Sequence, residues 1–193
     1  MPDGTPSESA RLLDYIRSRA AGLDAARLRA RVRSAAGELE AALAGLGEED
    51  ARRRVRPGEW TVAQVVDHVS QSTVRSVEEL RHLRAGRRPP GPPVYEALLS
   101  GAAHRVPWAE LVEGLREANA ALDATLGEPA ESGTSPAVTA PAILVVAGPE
   151  AGSAPVIFAA ELTWPEYALV QRLHFLDHRA QVRALRAALA ALA

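Results

Sequence analysis

The sequence predicts an all-α fold, a four-helix bundle that carries an extra N-terminal helical segment. Hydrophobic residues make up 47% of the chain but aromatic residues only 4%, so the core must consist mainly of Ala, Leu and Val. Such side chains suit helices that approach one another closely better than they suit a β-sandwich. Long segments also repeat apolar residues at helical spacing, and capping residues or prolines stand where these segments begin.

The length of 193 residues fits a single domain, because domains commonly contain about 100–200 residues. Residues 1–9 are polar and include proline and glycine, so we predict a mobile tail there. We expect residues 10–193 to form one helical-bundle domain, since the sequence contains no internal repeat and no sign of a second domain.

Residues 10–46 are rich in Ala, Leu, Arg and Glu, and they are predicted to form a shorter helix followed by a long one. Asp24 is a suitable N-cap for the long helix, which should end near Gly45 and Gly47. The shorter helix is the extra N-terminal segment, and the longer one is the first helix of the predicted bundle.

A charged segment, residues 48–59, is predicted to form a loop, because it contains four arginines and a Pro-Gly turn pair. Thr61 then opens a helix, since Thr61 and Gln64 form a T-x-x-Q capping box. This helix should reach Arg84, where a proline-rich loop follows. One side of the helix is predicted to carry Val62, Val65, Val66, Val69, Thr73, Leu80 and Leu83.

Two further long helices are predicted in the second half of the chain. One begins at Trp108 and ends at Leu126, and the last begins at Trp164 and continues to the C-terminus. Two short apolar runs lie between these helices. They are equally consistent with a short β-hairpin and with an ordered loop over residues 142–160.

Charge and cysteine content exclude several classes of function. The formal net charge of −2 lacks the positive balance that nucleic-acid-binding domains normally use, so no nucleic-acid partner is expected. Without cysteine, any metal must be held by His or carboxylate. We see no signal peptide and no apolar stretch long enough to span a bilayer. The expectation is a cytoplasmic protein, a homodimer, with a small-molecule substrate and no membrane partner.

Two of the five histidines lie four residues apart on the last predicted helix. His174 and His178 would then have Cβ atoms about 5–6 Å apart, so both imidazoles could reach one ion at about 2.0–2.1 Å. Gln171 and Gln181 share this face, and each polar group buried there without a partner would cost about 1–3 kcal/mol. The predicted apolar stripe contains Tyr167, Val170, His174, His178, Val182, Leu185, Leu189 and Leu192.

An ordinary structural role is the alternative, because histidines spaced by four also occur as hydrogen-bonded core or surface residues. A metal site needs a third ligand. His68 is predicted at the flank of the valine-rich side of its helix, a placement that suits a cleft between helices. His82 and His104 lie beside Arg-rich or proline-flanked segments, so we expect solvated side chains there.

Two motifs of this chain resemble those of DinB-like proteins. Trp60-Thr-Val-Ala-Gln-Val-Val-Asp-His68 is similar to the family signature W-[ST]-x-x-[EQ]-x-x-x-H. His174-Phe-Leu-Asp-His178-Arg-Ala-Gln181 is similar to the closing H-x-x-x-H-x-x-Q motif on the family's final helix. The resemblance covers about residues 24–190, although residues 128–160 depart from it by forming an unusually long connection.

The resemblance implies the DinB/YfiT-like four-helix bundle, with one divalent metal ion bound by His68, His174 and His178. The superfamily also includes thiol-dependent maleylpyruvate isomerases and transferases of the low-molecular-weight thiols bacillithiol and mycothiol. Thiol chemistry at the metal is therefore what the resemblance implies, and residues 128–160 would add a feature of this chain alone.

Three neutral imidazoles would leave open positions on a Zn²⁺ or Ni²⁺ ion, which is typical of a catalytic site rather than a structural one. Such an ion could lower the pKa of bound water or bind a thiol as thiolate. Thiol transfer, hydrolysis and a non-catalytic metal-binding module therefore all stay open. Phe175 follows His174, so the sequence lacks the H-E-x-x-H motif of zinc peptidases.

Neighbours of the predicted ligands are candidates for supporting roles. Gln181 could form a hydrogen bond with a ligand or with metal-bound water, whereas Asp67 and Asp177 should face solvent or support a ligand from behind. The arginines of residues 52–56 and 81–88 are predicted to be solvated. Either group could alternatively bind the carboxylates of an acidic thiol cofactor.

Overall fold

A computed structural model describes residues 7–93, 98–129, 138–146 and 156–192. These residues form a mostly helical fold with one two-stranded antiparallel sheet. Among them, no helix combines the length and the apolar character that crossing a bilayer requires. The helices are α1 (Glu8–Ala21), α2 (Ala25–Leu43), α3 (Glu48–Arg52), α4 (Val62–Arg84), α5 (Trp108–Gly127) and α6 (Trp164–Ala190), with a short 3-10 helix at Ala102–His104.

The two N-terminal helices begin at capping residues. The side chain of Asp24 accepts a hydrogen bond from the backbone N–H of Arg27 at 2.7 Å, so α2 starts where the sequence predicts. Ser7 caps α1, and the last two residues of the predicted tail, 1–9, therefore belong to a helix. Residues 1–6 lie outside the described residues, and the single-domain organisation stays a prediction.

Residues 48–59 do not form the continuous loop that we predicted, because they include α3. Acidic residues occupy the first three positions of α3, where they interact favourably with the helix dipole, and Ala51 is fully buried. Glu48 also accepts a hydrogen bond from the backbone N–H of Trp108 at 2.7 Å. The first residue of α3 therefore also caps the start of α5.

The bundle consists of α2, α4, α5 and α6. Each of these helices packs mainly against two others, so that α2 lies diagonally opposite α4, and α5 lies opposite α6. The helix α1 packs on the outside of α6. Fully buried side chains from all four helices fill the centre: Leu28, Leu39, Val65, Leu80, Leu115, Leu122, Leu169 and Phe175.

Capping interactions fix the starts of α4 and α6. The predicted box at α4 is confirmed, because Gln64 accepts from the backbone N–H of Thr61 at 3.0 Å and Thr61 accepts from that of Gln64 at 3.2 Å. At α6, Glu166 accepts from the backbone N–H of Thr163 at 2.7 Å, an interaction that the sequence analysis missed. The predicted apolar side of α4 is buried at all seven positions.

The segment before α6 forms a β-hairpin rather than the alternative ordered loop. Strands β1 (Ala140–Val146) and β2 (Val156–Leu162) pair antiparallel, with Ala140 opposite Leu162. One face of the hairpin exposes Val145, whereas the opposite face packs inward. The buried residues of that inner face are Ala140, Ala142, Leu144, Ala160 and Leu162.

Candidate metal centre

His68 of α4 meets His174 and His178 of α6 where these two helices face each other. Nε2 of His174 lies 3.0 Å from Nε2 of His68 and 3.0 Å from Nε2 of His178. One ring nitrogen from each residue lies within 4.8 Å of the other two. The structure therefore brings together the three histidines that the sequence singled out.

Two of the three separations between these nitrogen atoms fit a single divalent ion. Nitrogen ligands at about 2.0–2.1 Å, arranged with tetrahedral or octahedral angles, lie about 2.8–3.4 Å apart. Both measured separations of 3.0 Å fall within this range. Within the described parts of the chain, no fourth His, Asp or Glu joins the group, so a bound ion would keep positions open for other ligands.

Hydrogen-bond acceptors behind two of the rings determine where their protons lie. Nδ1 of His68 lies 3.1 Å from the carbonyl oxygen of Leu98, and Nδ1 of His178 lies 2.8 Å from Oε1 of Gln181. Because both oxygens accept hydrogen bonds, each neutral ring carries its proton on Nδ1 and presents the lone pair of Nε2 to the cluster. Groups that bond the far nitrogen orient metal-binding histidines in the same way.

The ring of His174 lies between these two lone pairs. If its Nε2 carries the proton, it can donate to only one of the two neighbours. If Nδ1 carries the proton instead, three lone pairs converge and repel one another unless a cation lies between them. Nδ1 of His174 is buried and has no hydrogen-bond partner among the described residues. A bound ion would remove the repulsion that the second arrangement leaves.

Burial keeps the three rings neutral near pH 7. Desolvation, together with the proximity of His178, lowers the pKa of His68 to about 4. Desolvation also lowers the pKa of His174 well below its usual value. Burial lowers the pKa of His178 as well, although the hydrogen bond with Gln181 acts in the opposite direction. Neutral imidazole is the form that binds metal, so the site needs no deprotonation at neutral pH.

The DinB superfamily matches residues 31–181, a region that contains both histidine motifs and most of the chain. The chain belongs to the DinB superfamily. The family resemblance read from the two motifs is therefore confirmed. Searches of curated proteins and of solved structures each found no match, so the comparisons support no specific activity.

Asp67, which precedes His68 in this DinB domain, is buried rather than solvent-facing. Its carboxylate accepts hydrogen bonds from the hydroxyl of Ser100 at 2.6 Å and from the backbone N–H of Gly101 at 3.1 Å. These contacts hold the segment that supplies the carbonyl of Leu98 to His68. Asp67 thus supports a candidate ligand indirectly. Asp177 is exposed on α6, so it faces solvent, which is one of the two placements that we expected for it.

The buried face of α6 differs from the predicted stripe. Gln171 and Phe175 are buried, while His174 and His178 are half-buried at the edge of that face. The prediction that both histidines lie at its centre is wrong, because α6 packs against α1 and α2 as well as α4. Leu192, also assigned to the stripe, is 60% exposed beyond the end of the helix.

Gln171 joins α6 to α4 beside the cluster. Its Nε2 donates a hydrogen bond to Oγ1 of Thr73 at 3.1 Å, and its Oε1 accepts one from Oγ of Ser76 at 3.0 Å. All three side chains are buried. A metal ion is therefore not needed to satisfy Gln171, whereas Gln181 does contact His178.

A cavity of about 480 Å³ adjoins the cluster on the side of His178. The ring of Trp60 lies 5.0 Å from that of His68 and stacks at 6.4 Å on that of His178, measured between centroids. No described residue of the hairpin lines this cavity. Its lining includes Arg56, Glu59, Trp60, His178, Gln181 and Leu185.

The remaining histidines and the first arginine group lie apart from the cluster. His104 is exposed and His82 is half-buried. Among residues 52–56, Arg52 donates to backbone carbonyls of the segment before α5, so it has a structural role. Arg56 is the member of this group that lines the cavity.

Proposed function

We propose that this DinB protein is a metal-dependent enzyme that activates a low-molecular-weight thiol for transfer to a small electrophile. One Zn²⁺ or Ni²⁺ ion would be held by His68, His174 and His178. The observation that carries the proposal is the convergence of three neutral imidazoles beside a cavity of about 480 Å³. The separations of 3.0 Å between Nε2 of His174 and the Nε2 atoms of His68 and His178 support an ion at this point.

Each part of the site would have a separate task. The ion would supply a Lewis acid that lowers the pKa of a bound thiol. The carbonyl of Leu98 and the side chain of Gln181 hold two imidazoles in the orientation that presents Nε2. Trp60 and Leu185 give the cavity apolar surface, which suits the carbon skeleton of a small substrate.

The composition of the chain supports a thiol cofactor. The protein has no cysteine, so a sulfur nucleophile must come from a bound molecule. A free thiol with a pKa near ~8.5 is mostly protonated at neutral pH, so a site that favours the thiolate would raise the rate. In the transfer, sulfur forms a bond to the electrophilic carbon, the leaving group departs with its electron pair, and the thiol proton passes to solvent.

Metal content is the first test. Protein purified without a His tag or a nickel column should contain about one Zn²⁺ or Ni²⁺ per chain by elemental analysis. A stoichiometry near zero, even after exposure to each ion, would contradict the metal site and with it the proposed chemistry.

Thiol transfer is the second test. Bacillithiol, mycothiol and glutathione would each be mixed with monochlorobimane, which releases chloride when sulfur attacks it. We expect the wild-type protein to accelerate the reaction of at least one thiol, and we expect chelated protein and His178→Ala to lose that acceleration. Equal rates for all three proteins with every thiol would leave a hydrolase or a non-catalytic metal-binding module as the better account.

The expected partners follow from the same proposal. A small molecule is proposed as the substrate, and the net charge of −2 supports neither a nucleic acid nor an anionic membrane surface as a partner. The homodimer stays a prediction that light scattering can test, since a dimer would have twice the chain mass of 20.5 kDa. The cytoplasmic location stays a prediction as well.

A further inference from the structure

A second cleft lies between the beginning of α2 and the ends of α4 and α5. Its volume is about 390 Å³, and three arginines, Arg29, Arg33 and Arg84, line it. Arg84 follows His68 by 16 residues on α4, which corresponds to about 24 Å along the helix axis. The cleft is therefore separate from the histidine cluster.

Arg84 carries a buried charge that the described residues neutralise only in part. Arg84 is only 6% exposed, and its Nη2 donates a hydrogen bond to the backbone carbonyl of Glu128. Its guanidinium carbon lies 4.6 Å from the ring centroid of Trp164. Nε and Nη1 are buried without a hydrogen-bond partner, and no described carboxylate lies within ion-pair distance. Burial lowers the pKa of Arg84, and the charge of Glu128 offsets this effect only in part, so the buried guanidinium remains unfavourable.

The other charges near the cleft leave an excess of positive charge. Arg29 is already paired, because its Nε and Nη2 donate to the two carboxylate oxygens of Asp123 at 2.8 and 2.6 Å. Glu128 lines the cleft with an exposed side chain. Arg33 is exposed and forms no described salt bridge. Three arginines therefore face two carboxylates.

We propose that this cleft binds an oxyanion, the carboxylate or phosphate group of a small molecule, with Arg33 and Arg84 as its cationic contacts. A guanidinium presents donors in a planar fork that matches the oxygen atoms of either group. The volume suits a small ligand. This site does not depend on the proposed thiol chemistry, because it shares no residue with the histidine cluster.

Binding of inorganic phosphate, compared with citrate as a carboxylate probe, tests the site. Calorimetry and thermal shifts would be recorded at constant ionic strength, with chloride as the reference anion. We expect at least one probe to bind, and we expect Arg33→Gln and Arg84→Met each to weaken its affinity at least tenfold. Arg31→Gln is the matched control, because Arg31 is an exposed arginine of α2 that does not line the cleft. His178→Ala should bind as wild type does, which separates this site from the metal centre.

The stability of Arg84→Met distinguishes a ligand site from a purely structural arginine. Replacing an incompletely compensated buried charge by an apolar side chain should leave the Tm of the ligand-free protein unchanged or raised, while the response to the anion disappears. A lowered Tm with an unchanged anion response would overturn the proposal. Equal affinities of wild type and Arg33→Gln for the anion would also overturn it, because Arg33 is exposed and this variant should fold. The absence of binding by either probe would overturn it as well.

Discussion

Nδ1 of His178 donates a hydrogen bond to Oε1 of Gln181, which lies 2.8 Å away on the same face of α6. The contact turns Nε2 of His178 towards His174. For His68 the corresponding acceptor is the backbone carbonyl of Leu98, on a different segment of the chain. Two of the three candidate ligands are thus oriented by groups that would not themselves touch a metal ion.

Gln181→Leu should weaken metal affinity by about 10–100-fold, because His178 would lose the acceptor that fixes its tautomer and its ring orientation. A competition titration against a chromophoric zinc chelator would measure the change. Gln181→Glu is the matched control, since a carboxylate still accepts the hydrogen bond from Nδ1. An unchanged affinity in Gln181→Leu would show that the contact does not support the site.

Removal of a candidate ligand should have a larger effect. We expect His68→Ala, His174→Ala and His178→Ala each to abolish tight binding, because two imidazoles cannot hold the ion as three do. His82→Ala and His104→Ala should bind as wild type does, since both residues lie outside the cluster. Calorimetric titration of Zn²⁺ would decide, and a loss of affinity in His104→Ala equal to that in His174→Ala would refute the ligand assignment.

Local signals in the sequence were sufficient to place the long helices. Asp24 and the Thr61–Gln64 box act within a few residues, and the structure confirms both. The three histidines could be found in the same way, because their spacing and motifs are local. Thr163 and Glu166 form an equivalent signal that could have been recognised. The sequence therefore predicted the elements that carry the site.

Features that depend on distant contacts could not be predicted. No pattern in the sequence could single out the carbonyl of Leu98, because every residue has a backbone carbonyl. Only the fold brings this carbonyl to His68. The buried face of α6 includes Phe175 because α1 and α2, as well as α4, pack against this helix. The sequence could not distinguish a hairpin from an ordered loop, because the two apolar runs are short. Each strand is stabilised by pairing with the other, which a reading of either run alone does not reveal.

Asp67→Asn should destabilise the protein by about 1–3 kcal/mol and should also weaken metal binding. The two carboxylate oxygens accept hydrogen bonds from Ser100 and from Gly101. Asparagine keeps only one accepting oxygen, so one of these donors would lose its partner and face an NH₂ group. The segment that presents Leu98 to His68 would then be held less firmly. Urea denaturation and zinc titration would measure the two effects. Asp177→Asn, at an exposed position, should change neither quantity, and equal effects of both variants would contradict the proposed role of Asp67.

The metal-free protein should lose stability as the pH falls from about 6.5 towards 4. The pKa of His68 is lowered from 6.5 to about 4 in the folded state, so between these values the unfolded chain binds the proton more strongly. Stability rises with pH wherever the unfolded state binds more protons, so the contribution is fully present above pH 6.5 and is lost on acidification. His174 and His178 act in the same direction, because their pKa values are also lowered.

Urea denaturation in the presence of a chelator, at pH 7.5 and at pH 4.5, would measure this loss of stability. We expect His68 to contribute on the order of 1–2 kcal/mol, because its ring is only partly shielded from solvent. His68→Leu cannot be protonated and should therefore show a smaller difference between the two pH values. Added Zn²⁺ should steepen the dependence in wild type, since protons compete with the metal for the same nitrogen atoms. If wild type and His68→Leu lost equal stability, the rings would not be held in their neutral form by burial within the cluster.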